Sequence, residues 1–274
     1  MRESKFVISG RGSRAVDILL VFLAAFFCAG TIWAQLPRPA EKTPATRETF
    51  NPALGSITTI DGAANYVRAH AGSNRPEALA NAADQFVRER FYHSYSFFDP
   101  GHDWIAYLSG FAWINLRSPV LPENILDFPE AACSQQVIVF QAIARKLGFD
   151  AGVVTLRHHM IAAVKIDGQW QVYDADRDIA PRSYPLAKLL AGDPAVIGIY
   201  GRMGRSIDMA GQAARGEIKL VDVNSNPAPQ ASLFHRLTHG FSHYGWALFL
   251  GLALLRLASR RQASSRLRKQ PLPV

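Results

Sequence analysis

Three residues stand in an order that suits acyl transfer: Cys133, His159 and Asp174. A cysteine at the first turn of a helix exposes its sulfur to unpaired N–H groups and to the positive end of the helix dipole, and both favour the nucleophilic thiolate. A neighbouring imidazole holds the ion pair and later protonates the leaving group, and a carboxylate behind the imidazole fixes its tautomer.

The elements around these residues can be read directly. From Ser134 to Leu147 the run SQQVIVFQAIARKL is apolar on most faces. Arg145 and Lys146 follow in its last turn and Gly148 supplies a stop, so the spacing predicts a buried central helix starting near Cys133. The stretches AGVVTLR, HMIAAVKI and QWQVYD are rich in β-branched and aromatic residues, and Asp167-Gly168 between the last two is a two-residue hairpin signal. His159 opens one strand and Asp174 closes the next, so both fall at the same open end of one hairpin. His158 competes for the role of base, but adjacent strand residues point to opposite faces, so only one of the two can aim at the thiol. Upstream, Asp61 can cap a helix through Asn65, Val67 and His70. Pro76-Glu77 can open another through Leu79, Ala83, Phe86 and Phe91.

The run PENILDFPEAACSQQVIVFQAIARKLGFDAGVVTL, followed by HHMIAAVKIDGQWQVYDADRD, resembles the transglutaminase-like family in its order of Cys, helix, strand, His, strand, Asp. Gly168, Trp170 and Asp174 stand where that pattern has Gly-x-Trp before the aspartate. Ala132 occupies a position where a glycine often precedes the cysteine, Ile161 one where a tryptophan often follows the histidine, and Ala163 that of a frequent glutamate. The resemblance covers roughly residues 120–180. It implies Cys133 as nucleophile, His159 as general base and acid, and Asp174 as the group orienting the imidazole. It also implies an α+β, papain-like core in which a central helix carrying the cysteine packs on an antiparallel sheet. The register of the resemblance selects His159 over His158, which is then exposed.

Other polar clusters compete for attention. Asp176 and Asp178 follow Asp174 in DADRD and crowd carboxylates into one loop, but the glycine and glutamate of a calcium loop are missing. His93, His102 and Trp104 have no spacing that ties them to a mechanism and read as structural residues at a domain surface. His235, His239 and His243 recur every four residues and would share one helix face, able in principle to offer nitrogen to zinc, copper or haem. The simpler reading of that segment is an interfacial helix with Phe234, Phe241, Tyr244 and Trp246 at the headgroups. No metal and no cofactor are expected.

Composition places this core in a membrane setting. Ala15 to Ala34 is almost continuously apolar and long enough for a bilayer core of roughly 30 Å, as an anchor or as a signal sequence ending at Ala34-Gln35. A second, shorter apolar run spans about Tyr244 to Leu257, carries Arg256 near its end and is followed by further basic residues. Residues 1–14 carry +3 and residues 256–274 carry +6 of a formal +8, so the rest of the chain is about −1 and gives no reason for a nucleic-acid partner. Basic flanks favour the cytoplasmic side, which puts both termini inside and the middle of the chain outside, in the periplasm or its equivalent. Cys28 lies in the first apolar run, leaving Cys133 as the one thiol of the soluble part, without an intradomain disulfide partner.

The expected organisation is a basic tail over 1–14, a transmembrane helix or signal anchor over 15–34 and a Pro-rich linker over 35–57. A transglutaminase-like domain with a helical preamble follows over 58–225, then a juxtamembrane segment over 226–243, a second membrane helix over 244–258 and a basic tail over 259–274. The expected function is acyl transfer or hydrolysis on an amide or ester, in a protein, a peptide or another substrate of that kind. Its oxyanion would be held by the Cys133 N–H and one further donor, with Trp113 and Asn115 as upstream candidates. The alternative is a non-catalytic, membrane-anchored binding module with partners in envelope or polysaccharide assembly.

Overall fold

The computed structural model describes residues 10–36, 50–176, 182–201 and 208–268. Among them are ten α-helices and a five-stranded antiparallel sheet, an α+β architecture. The chain divides into two compact units. One is formed by the described residues of Met1–Ala40, Phe98–Arg117 and Arg236–Val274, the other by those of Glu41–Phe97 and Ser118–His235. The expected boundaries ran unbroken from 58 to 225, whereas residues 98–117 belong with the apolar helices.

The sheet unit has three layers. Helix α6 (Cys133–Lys146) lies on one face of the sheet, with α2 (Ile60–His70), α3 (Pro76–Arg90) and α5 (Pro122–Leu126) packed around it. The strands are β1 (Ala151–Leu156), β2 (His159–Ile166), β3 (Gln169–Tyr173), β4 (Ser183–Pro185) and β5 (Lys219–Val221), in spatial order β4-β3-β2-β1-β5. Side chains alternate along β2: Ala162, Val164 and Ile166 join the core beneath α6, while Ile161 and Ala163 join a second core. That second core is closed by α7 (Leu186–Leu190), α8 (Pro194–Gly201) and α9 (Met209–Ala214). Both faces of the central strand are therefore apolar, which is why β2 reads as a near-continuous apolar run.

Local signals set most of these boundaries. α2 is capped by Thr59, whose side chain accepts the Gly62 N–H at 3.0 Å, and not by Asp61, which sits in the first turn and pairs with Lys146 at 2.5 Å. α3 opens on Pro76, as its sequence predicts. Gly148 ends the α6 segment at φ +95°. Asp167 and Gly168 form the β2–β3 turn with φ of 48° and 80°, and Ile166 pairs with Gln169 across it. A Cβ at Gly168 would meet nothing within 4 Å, so Gly168→Ala isolates the backbone cost of the left-handed region. We expect it to lower stability by about 1–2 kcal/mol, read as a lower urea midpoint with an unchanged slope.

In the second unit, α1 (Gly10–Ala34) and α10 (Pro229–Arg268) are long and apolar enough to cross a membrane. α10 is one continuous helix, so the expected juxtamembrane segment 226–243 and the second span 244–258 are not separate elements. No proline follows Pro229 until Pro271 to break it. The two helices run antiparallel. Near one end Thr31 donates to the Ser242 carbonyl at 2.8 Å, and near the other Arg256 donates to Asp17 at 2.9 Å, with Arg260 on the same carboxylate.

α4 (Pro100–Ser109) packs on this pair. Its Asp103 is fully buried and accepts from Thr238 at 2.6 Å and Ser242 at 2.7 Å. Trp104 is buried against Phe26 and Phe27 and donates to the Ser242 carbonyl at 3.1 Å. A Cβ at Gly30 would come within 2.6 Å of the Trp104 ring, so the glycine is what admits the indole. Trp104, expected at a domain surface, is thus a packing residue of the helical unit.

Candidate active site

Cys133 is the first residue of α6, so its sulfur sits beside the open N–H groups of the first turn. The register that pairs Ala162 with Tyr173 brings the start of β2 and the residue after β3 to the same end of the sheet. There His159 Nε2 lies 2.8 Å from Asp174 Oδ2, with both side chains almost completely buried. That leaves Nδ1 for the thiol, and His159 and the Met160 N–H are the neighbours that favour the Cys133 thiolate. The three residues singled out in the sequence are brought together.

Burial alone would push the Cys133 thiol up. The hydrogen bond and charge of His159 and the Met160 N–H outweigh it and hold the thiol below its ordinary value. Burial would likewise push His159 down, but its hydrogen bonds to Asp174 and Cys133 and their charges raise it far above the ordinary imidazole range. Together these shifts favour the thiolate–imidazolium pair at neutral pH. The thiol borders a small cleft whose walls include Gln136, Val137, Phe140, Met160, Ala162 and Tyr173.

His158 is in the left-handed turn between β1 and β2, with φ of 64°, and is exposed, so it points away from the thiol. Asp176 lies at the site, with Oδ2 3.9 Å from His159 Nδ1 and Oδ1 in contact with His93 Nδ1. His93, read in the sequence as a surface residue, is carried there by the stretch that bridges Tyr92 to Glu130. Asp178 lies outside the described residues. His159, Asp174 and Asp176 offer ligand atoms within 4.8 Å of one another, the one such group among the described residues. An ion there would compete with the thiol for His159.

The histidine stripe does not form a single open face. His235 is fully buried and His239 is exposed, while the His243 ring lies tilted 4.5 Å from that of His239 and faces the His102 carbonyl at 3.2 Å. Trp113 and Asn115 belong to the helical unit and not to the unit holding Cys133.

Several buried groups that support the site carry no sequence motif. Gln135 Oε1 accepts from Ala132 N–H at 3.1 Å and Ser96 N–H at 3.0 Å, and its Nε2 donates to Ser118 and to the Pro119 carbonyl, each at 3.2 Å. This one amide ties the start of α6 to two upstream segments. Arg88 donates to Asp84 at 2.8 Å and to the Asp174 carbonyl at 3.1 Å. Tyr200, hydrogen-bonded to Tyr184 at 2.6 Å, is held well above its ordinary value by burial and by the Asp174 charge.

Comparison with protein-family models, curated proteins and solved structures finds no match to this chain.

Proposed function

We propose that the protein is a membrane-anchored, transglutaminase-like thiol enzyme performing acyl transfer or hydrolysis on an amide or ester. The observation that carries the reading is the buried His159–Asp174 hydrogen bond beside the half-buried Cys133 at the start of α6, with thiol and imidazole shifted in opposite directions. A thiol-bearing helix packed on an antiparallel sheet whose strands present the histidine and aspartate supports a papain-like core.

In the first step the Cys133 sulfur forms a bond to the carbonyl carbon. The amine or alcohol then leaves with the proton held on His159. Water or an acceptor amine attacks the thioester, returns a proton to His159, and releases the thiolate. Asp174 keeps Nδ1 aimed at the sulfur throughout, because Nε2 is engaged with its carboxylate. The first-turn N–H of Cys133 is one donor for the developing oxyanion.

For location, we propose that α1 and α10 both span the membrane with their Asp17–Arg256 end inside, which puts both basic termini in the cytoplasm and Cys133 outside.

The test is labelling of the full chain, with Cys28→Ser, by a thiol-reactive acyl probe. Cys133→Ala is expected to abolish labelling, leaving the thermal midpoint within about 1 °C because a small, half-buried side chain is replaced by one of nearly the same size. Equal labelling of the two proteins sinks the proposal.

A further inference from the structure

The helical unit exposes a continuous apolar patch that neither the site nor the two long helices account for. In the run LSGFAWI, which holds no charged residue, Leu108 is 44% exposed, Phe111 76%, Trp113 63% and Ile114 51%. Four large apolar side chains within seven residues, all facing outward, form the kind of patch that marks an interaction surface and not ordinary surface scatter.

Its height along the helices follows from contacts within the same unit. Trp33, near the end of α1, packs on Tyr107 at 6.1 Å, and Tyr107 packs edge-on against Phe111 at 5.5 Å. Aromatic contact therefore runs unbroken from the end of α1 into the patch. At 1.5 Å per residue, the helix from Arg14 to Trp33 rises roughly 28 Å, close to the thickness of a hydrocarbon core, so Trp33 and Tyr107 fall at the boundary opposite the basic terminus. Arg117 lies over the Tyr107 ring at 4.5 Å, a cation at the same level. Tyr244 and Trp246 are exposed on α10 just beyond Ser242, which is hydrogen-bonded to Thr31. An apolar patch continuous with a ring of Trp and Tyr and flanked by arginine is the composition suited to lipid at the interface.

We propose that residues 108–114 insert into the outer leaflet as a third membrane contact, with Phe111 and Trp113 among the lipid acyl chains and Arg117 at the headgroups. The partner is a lipid surface. The buried bonds of Asp103 to Thr238 and Ser242 fix α4, and so the depth of the patch, against α10. The inference rests on the reading of α1 and α10 as membrane spans.

The test uses the full chain with Cys28→Ser and Cys133→Ala, and a single new cysteine at Phe22, Phe111 or Gln169 carrying an environment-sensitive fluorophore. The protein is reconstituted in phosphatidylcholine–phosphatidylglycerol vesicles. Emission from Phe111→Cys is expected to be blue-shifted and quenched by lipid spin-labelled near its headgroup, and that from Phe22→Cys by lipid spin-labelled deep in the acyl chain. The label on Gln169→Cys, at the exposed β2–β3 end, is expected to be quenched by aqueous iodide alone. Lipid quenching at Phe22 with iodide quenching at Phe111 overturns the patch proposal while leaving the spans standing. A label at Phe111 protected from both quenchers also overturns it, because a protein surface then covers the patch. Absence of lipid quenching at Phe22 overturns the spanning reading itself, and the patch proposal with it.

Discussion

Replacing His159 with Asn is expected to return Cys133 to an ordinary thiol and to slow its alkylation by iodoacetamide at pH 6 by about tenfold. In the native site the thiol is held below its usual value because the hydrogen bond and charge of His159 overcome the burial that would raise it. The thiolate is then populated at lower pH than in an unassisted thiol, and the alkylation rate stays nearly flat across the window between the depressed thiol and the raised imidazole. Asn cannot carry the positive charge, so alkylation of the variant rises tenfold per pH unit up to about 8.5. The thiolate fraction alone would drop by more than a hundredfold at pH 6, and the greater nucleophilicity of the more basic sulfur recovers part of that. The sign for stability is also fixed. A histidine whose folded value is raised contributes stability that is fully present below its unfolded value and is lost as pH rises through the folded one. The stability difference between the native protein and His159→Asn should therefore shrink in alkali. Superimposable rate profiles for the two proteins would show that Cys133 owes nothing to His159.

The part of this site that was legible in the sequence is the part set by local rules. A helix start at Cys133, a glycine stop at Gly148 and an Asp-Gly turn at 167–168 are each decided within a few residues. The strand pairing they imply is enough to bring His159 to Asp174. Where the chain had to choose partners far away, the signal was absent. Gln135 gave no hint that its amide would close on Ser96 and Pro119, nor His93 that it would meet Asp176 across more than eighty residues. Asp103 carries no local signal of burial, and it is buried because two hydroxyls on α10 replace its water. That pairing draws 98–117 out of the expected domain and into the helical unit. The uncharged run LSGFAWI was visible in the sequence, but only the exposure of its side chains distinguishes it from a core segment.

The second large effect is expected at Arg88, which touches neither thiol nor imidazole. Asp84 is wholly buried, and its burial raises it to about 6 even though the Arg88 charge pulls it down. Arg88→Met keeps the volume and removes the charge. It leaves a buried carboxylate without its cation and the Asp174 carbonyl without a donor. Removing one partner of a buried pair costs about 3–5 kcal/mol, so the thermal midpoint should fall by roughly 10 °C. The loss should depend on pH in one direction. A carboxylate with a raised folded value contributes stability that is present below its unfolded value and lost as pH rises through the folded one. Without Arg88 that folded value is higher still, so the deficit should be largest at neutral pH and smaller near pH 4. Pairing Arg88→Met with Asp84→Leu removes both buried charges together and should recover most of the stability, since an apolar pair of similar volume replaces an ion pair at little cost. It should not recover the site, because the Asp174 carbonyl still lacks the guanidinium that seats it. The double variant should therefore fold like the native protein yet alkylate Cys133 with a profile moved toward the ordinary thiol value. Native reactivity in that folded double variant would mean that Arg88 serves the fold alone.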